Sequence, residues 1–155
     1  MFKYLKYNLL TFVGLSLSLL LMVDQSTPIN KIDPKTKQFY KEYINYIPKS
    51  CKRHVLRQNK IVIKFETLNT NFIGFCNRVF RERTILLDAD FWRWMQPLDQ
   101  KQLLFHELSH CLLNKNHVKD ISNYMYPTQY GIPEEVFIGQ VKQDIETYCS
   151  NFSYD

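Results

Sequence analysis

Residues 103–117, LLFHELSHCLLNKNH, constrain this chain more than any other stretch. Leu103, Leu104, Leu108, Cys111 and Leu112 recur at helical spacing, so one face of the segment is apolar and must meet a core. The same helix carries His106 and His110 four residues apart, which places their side chains one above the other, with Cβ atoms about 5–6 Å apart. The fold must therefore bury the apolar face of this helix. Pro97 and Asp99 sit where such a helix begins. Asn114 is a good stop, because asparagine tolerates the left-handed conformation that ends helices.

Two imidazoles at that spacing can converge on one cation, each nitrogen about 2.0–2.1 Å from a zinc ion. Glu107 projects beside the first of them and is placed to take a proton from metal-activated water, which is the chemistry of H-E-x-x-H on a helix. A catalytic zinc takes three protein ligands and keeps one position open. His117, just beyond the turn at Asn114, is the expected third ligand. Asp120, Glu134 and Glu135 are its rivals, and a glutamate on the following helix would make a gluzincin-like site.

HELSHCLLNKNH, followed by SNYMYPT at residues 122–128, resembles small metzincin-type zinc metallopeptidases. The closest likeness is to short exported bacterial and phage-type members that carry HELGHCLLGxxH and then SIMYP. The likeness covers residues 103–127 well and extends loosely upstream, to GFC and RTILLDADFW. Three departures stand out. Against the general metzincin spacing HExxHxxGxxH, Asn116 holds the place of the third histidine, with His117 one residue later. Asn114 stands where a displaced glycine would be, and Asn123 replaces a serine. One added residue before the turn accounts for the first two. The resemblance implies a zincin-like fold, a bound Zn2+, peptide hydrolysis with Glu107 as general base, and Met125 as the Met-turn residue that floors the site. It also offers Tyr124 and Tyr126 as oxyanion supports, although in a chain with ten tyrosines packing explains either one.

The rest of the sequence reads as an α+β chain. A helix is expected from about Lys35 to Ile47, with Phe39, Tyr43, Ile44 and Ile47 on one face and Pro48 as its end. Strands are expected at 61–68, at 72–80 and from 83 to 91, with Asn69–Asn71 as a turn. A loop from about 114 to 131 leads to a last helix, from near Pro133 to Cys149, with Val136, Ile138, Val141, Ile145 and Tyr148 mostly on one side. The expectation is one small domain over 35–155, with a mixed or mostly antiparallel sheet of about three strands, an active-site helix and a C-terminal helix. The strand at 72–79 is a candidate to hold a peptide substrate by backbone pairing.

Composition narrows the setting. Lys3 and Lys6 precede an uncharged, mostly apolar run from Leu9 to Val23, so residues 1–26 read as a signal peptide or an N-terminal membrane anchor, and 27–34 as a linker. The expected location is therefore periplasmic, secreted, or tethered to the outer face of the cytoplasmic membrane. Four cysteines follow, Cys51, Cys76, Cys111 and Cys149, which suits two disulfides with all three pairings open. Only four glycines leave almost no material for a phosphate-binding loop. The net charge of +5 concentrates in KSCKRHVLRQNK, read as a solvated basic face, with no nucleic-acid partner expected for an exported chain. His54, in that stretch, reads as a structural or surface residue. Two further functions stay open at this stage: a zincin-like envelope protein that binds a partner without turnover, and an envelope factor whose zinc is structural.

Overall fold

A computed structural model describes residues 30–57, 60–68, 71–128 and 131–152. The segment read as a signal or anchor, 1–26, lies outside them, as does most of the Asn69–Asn71 turn. Along the chain run β1 (Lys31–Ile32), α1 (Lys37–Tyr46), α2 (Lys49–Arg57), β2 (Lys60–Glu66), β3 (Gly74–Val79), β4 (Glu82–Asp88), α3 (Ala89–Trp94), α4 (Pro97–Leu113) and α5 (Glu134–Ser150). Among the described residues no helix is long and apolar enough to cross a membrane.

The four strands form one sheet in the order β1-β2-β4-β3. β1 pairs with β2, and β2 with β4, in parallel; β3 pairs antiparallel with β4 through the two-residue turn Phe80–Arg81. The sheet is thus mixed, and a mostly antiparallel sheet of three strands is not what forms. Two residues of the stretch read as a linker, Lys31 and Ile32, supply the fourth strand. β2 and β4 are neighbours because β3 folds outward as the far arm of a hairpin, which leaves β3 on the edge.

Register sorts the side chains. Ile61 and Ile63 share a face with Ile85, Leu87, Gly74 and Cys76, and the four aliphatic residues of that set are buried. Lys64 and Asn77, on the opposite face, are exposed. The helices cover the first face, giving two layers with the core between them.

α4 is the centre of that core. Leu103, Leu104, Phe105, Leu108, Cys111 and Leu112 are all buried, as their spacing requires. Phe105 meets Tyr43 of α1 edge-on, with ring centroids 5.1 Å apart, and Phe137 of α5 at 5.4 Å. Burying aromatic side chains of this size contributes roughly 2–3 kcal/mol each. On α5 the buried stripe is Phe137, Val141, Ile145 and Cys149, strictly four apart. Val136, expected on that side, is exposed instead, because a stripe led by Phe137 turns its predecessor outward.

Two helices depart from the sequence expectation. α2 occupies the basic stretch, where Pro48 ends one helix and opens the next; Cys51 and Val55 face inward and Arg53 outward. α3 replaces the end of the expected third strand. Asp88 caps it, its Oδ1 accepting from the backbone N–H groups of Asp90 and Phe91, both at 2.9 Å.

The open cysteine pairing resolves into Cys51–Cys149, joining α2 to α5, and Cys76–Cys111, joining β3 to α4. No cysteine is free. Such a pattern belongs to proteins of oxidising compartments.

Candidate metal centre

His106 and His110 sit one turn apart on α4, and the chain must reverse to bring a third donor to them. Asn114 makes the reversal. It holds φ 54° and ψ 30°, and its N–H and that of Lys115 both return to the carbonyl of Ser109. Three residues later His117 faces the helix again. The Nε2 atoms of the three histidines form a nearly equilateral triangle: 2.9 Å between 106 and 110, and 3.0 Å from each to 117. His106 is buried, His110 half-buried and His117 exposed, so the triangle opens toward solvent at one corner.

The protonation pattern follows from the partners. His106 Nδ1 donates to the carbonyl of Tyr124 at 2.8 Å, and His110 Nδ1 donates to the carbonyl of Lys115 at 2.6 Å. A carbonyl only accepts, so in each neutral ring the proton sits on Nδ1 and Nε2 carries a bare lone pair. Two lone pairs then face each other at 2.9 Å with no hydrogen between them. Burial pushes the pKa of His106 down to about 4 and lowers that of His110, so neither ring supplies an extra proton at neutral pH. A shared cation relieves this arrangement. A tetrahedral ion with bonds of 2.0–2.1 Å sets neighbouring donors about 3.3–3.4 Å apart, a few tenths of an ångström wider than the triangle. The donor set therefore fits a metal ion, and imidazole nitrogens suit zinc, copper, nickel and iron alike.

The rival ligands are engaged elsewhere or stand apart. Glu134 pairs with Lys101 at 2.7 Å, and Asp120 accepts from the N–H and the hydroxyl of Ser122. Among the described residues these three histidines form the only cluster of histidine, cysteine or carboxylate donors close enough to hold a metal.

Glu107 lies beside the triangle with only 4% of its surface exposed. The backbone N–H of Cys76 donates to its carboxylate, and Oε2 has no hydrogen-bond partner. Burial dominates, and its pKa is pushed up to about 8. A cation held by the nearby imidazoles would pull that value back down. Gly74 makes room for the carboxylate: a Cβ there would come within 3.3 Å of Glu107 Cγ and Oε1, and 3.1 Å of Leu103 Cδ1.

The other expected site residues divide. Met125 is fully buried, its N–H donating to Asn123 Oδ1 at 2.9 Å and its carbonyl accepting from Val118. Tyr126 lines the cleft with His117. Tyr124, expected as an oxyanion support, has its hydroxyl buried, 2.9 Å from Asp144 Oδ2, and burial holds its pKa well above the usual phenol value. Its carbonyl, which orients His106, is what reaches the centre. His54 stacks on Phe152, with ring centroids 3.8 Å apart.

Histidines and glutamate open on a cleft of about 910 Å³. Gly74, Phe75, Cys76 and Arg78 of β3 form part of its wall, and Phe91 and Trp94, both more than half exposed, stand at its mouth. Sequence reasoning missed these two aromatics because it carried the strand through residue 91. No family model, no curated protein and no solved structure matches this chain. Fold and site define a mixed α+β protein whose central helix and the turn after it gather three histidines able to hold a metal ion.

Proposed function

We propose that the chain is a zinc-dependent peptide hydrolase with a metzincin-like site. One observation carries the reading: three imidazole Nε2 atoms converge beside a buried carboxylate that has an unpartnered oxygen. His106, His110 and His117 hold the ion, and Met125 takes the Met-turn place. Bound zinc supplies Lewis acidity, which acidifies water and polarises a carbonyl. The Glu107 carboxylate accepts a proton from the attacking water and returns it to the leaving amine. Cys76 N–H keeps the carboxylate from swinging away as the proton arrives and leaves.

The substrate side is written in β3. Among the described residues no strand pairs with its outer edge. Cys76 N–H turns toward Glu107 and not toward β4, so by the two-residue period the backbone groups of Gly74 and Arg78 also face the cleft. An extended peptide laid there gains backbone hydrogen bonds, and Phe91 and Trp94 offer its apolar side chains a surface. The aromatic rim thus favours peptides with large apolar residues over strongly charged ones.

Purified protein is expected to carry about one zinc per chain, and to cleave members of a broad peptide library in a chelator-sensitive way. Glu107→Gln should keep the metal and lose at least ~100-fold in turnover. A chain that takes up no zinc, or a Gln variant that cleaves at the wild-type rate, would overturn the proposal.

A further inference from the structure

Two backbone carbonyls aim the buried and half-buried ligands of the triangle, and they lie on different parts of the loop that follows α4. Lys115 O holds His110, and Tyr124 O holds His106. The side chains of these same two residues meet again behind the site. Lys115 Nζ reaches Asp144 Oδ1 at 2.5 Å, and Tyr124 OH donates to Asp144 Oδ2 at 2.9 Å. Both oxygens of one carboxylate are therefore used, one for each of the residues that orient a histidine. Asp144 stands on α5, which carries no ligand, and its side chain is 15% exposed.

We infer that Asp144 is a positioning residue for the metal centre: by gripping Lys115 and Tyr124 together, it fixes the carbonyls that orient His110 and His106. The inference rests on the metal-binding reading above. An imidazole points its lone pair only where the ring is turned, and the ring turns to keep its Nδ1–H on the carbonyl. Rotation of either peptide therefore moves the Nε2 atom by a comparable amount. Left to itself, a loop of this length has many conformers of similar energy. One carboxylate that holds both segments couples them, so that they shift together or not at all.

Neighbouring contacts show that α5 presents a built surface here. One turn before Asp144, Gln140 Oε1 accepts the backbone N–H of Tyr124 at 3.0 Å, and Gln140 Nε2 donates to the carbonyl of Ser122 at 3.1 Å. Tyr124 is thus held through its N–H and its hydroxyl by α5 while its carbonyl serves the histidine. α5 is in turn bound to α2 by Cys51–Cys149, one turn beyond Asp144.

The test measures metal affinity, not turnover. Zn2+ affinity is read by competition with a chromophoric chelator, and the ligand field by the visible absorption of the Co2+-loaded protein. Asp144→Ala should weaken Zn2+ binding about 10–100-fold and alter the Co2+ spectrum, and Asp144→Asn should fall between it and wild type. Tyr124→Phe and Lys115→Met keep both carbonyls and remove one tether each, so each should give part of the loss. Lys101→Met breaks the ion pairs that buried Lys101 of α4 makes with the more exposed Glu42 and Glu134. It should lower thermal stability while leaving Zn2+ affinity within about twofold of wild type. If Asp144→Ala does not fold, Tyr124→Phe and Lys115→Met still decide the matter. Wild-type affinity and spectrum in the Asp144 variants, or in both tether variants, overturn the inference. A wild-type chain that binds no Zn2+ instead removes the reading beneath it.

Discussion

On the loop side of the cleft, His106 and His110 each have Nδ1 tied to a carbonyl, and the residues that supply those carbonyls are tied again to Asp144. On the strand side, Glu107 has a single backbone donor, and one of its oxygens is buried with no partner. Both groups are withdrawn from water, yet one is held by layered hydrogen bonds and the other is left wanting. A ligand must keep its direction while the ion stays, so fixed geometry serves it. A base must accept a proton and give it up, and a fully satisfied carboxylate does that poorly. On the proposed function, the two sides of the cleft thus differ as holding and proton transfer differ.

The largest test of that contrast breaks the covalent tie on the strand side. Cys76 both donates its N–H to Glu107 and binds Cys111 across 35 residues of chain. Replacing both cysteines by serine should cost about 3–4 kcal/mol of stability, read by urea unfolding. It should also lower turnover by roughly tenfold or more, because a loosened β3 no longer positions the carboxylate. Zn2+ affinity should stay within about threefold, since the ligands hang from α4 and the loop. Equal losses in affinity and turnover would show that the two sides are not separate.

A second test uses pH. Below about pH 4.5 the carboxyl of Glu107 is neutral whether the chain is folded or not. Above that, the unfolded chain ionises while the folded one keeps its proton until about pH 8. The folded state therefore binds more protons through this window and loses stability as pH rises. For the chelator-treated protein the share of Glu107 in this loss between pH 5 and pH 8 is on the order of 3 kcal/mol. His106 and His110, whose pKa values burial lowers, act in the opposite sense, so the difference between wild type and Glu107→Gln isolates the carboxyl. A variant whose stability changes with pH as wild type does would mean that the carboxylate is not the strained partner.

What the sequence revealed about the two sides is unequal for a related reason. The histidine cluster and its helix were legible because they are local: a four-residue spacing, a periodic apolar face, and an asparagine able to turn the chain. His117 returns to the triangle for that same local reason. The strand order was not legible. β2 pairs with β4 because of a hairpin between them, and one-residue patterns in isolated strands carry no record of that partner. α3 was hidden because residues 88–91 are as compatible with a strand end as with a capped helix. Its one signal was Asp88, two residues before another acid. Asp144 and Gln140 looked like the wet side of an amphipathic helix, and only tertiary packing turns them toward the loop. Their four-residue spacing says that they share a face and is silent about what that face meets.

The smallest expected effect lies on the loop side, at Asn114. A residue there must hold φ 54° so that Lys115 O meets His110 and His117 comes back toward α4. Asn114→Gly meets that demand without a Cβ and should leave stability and Zn2+ affinity close to wild type. Asn114→Ala keeps the backbone N–H that returns to Ser109 but loses the short polar side chain that lets asparagine tolerate the left-handed region, which costs about 1 kcal/mol. Some of that cost can be escaped by relaxing φ, and relaxing φ swings Lys115 O away from His110. Alanine should therefore weaken Zn2+ binding several-fold as well as lower the unfolding midpoint, while glycine does neither. If alanine loses stability but binds Zn2+ as tightly as wild type, the hold of Asp144 on Lys115 is strong enough to keep the carbonyl in place against the turn, and the loop side is more firmly fixed than Asn114 alone requires.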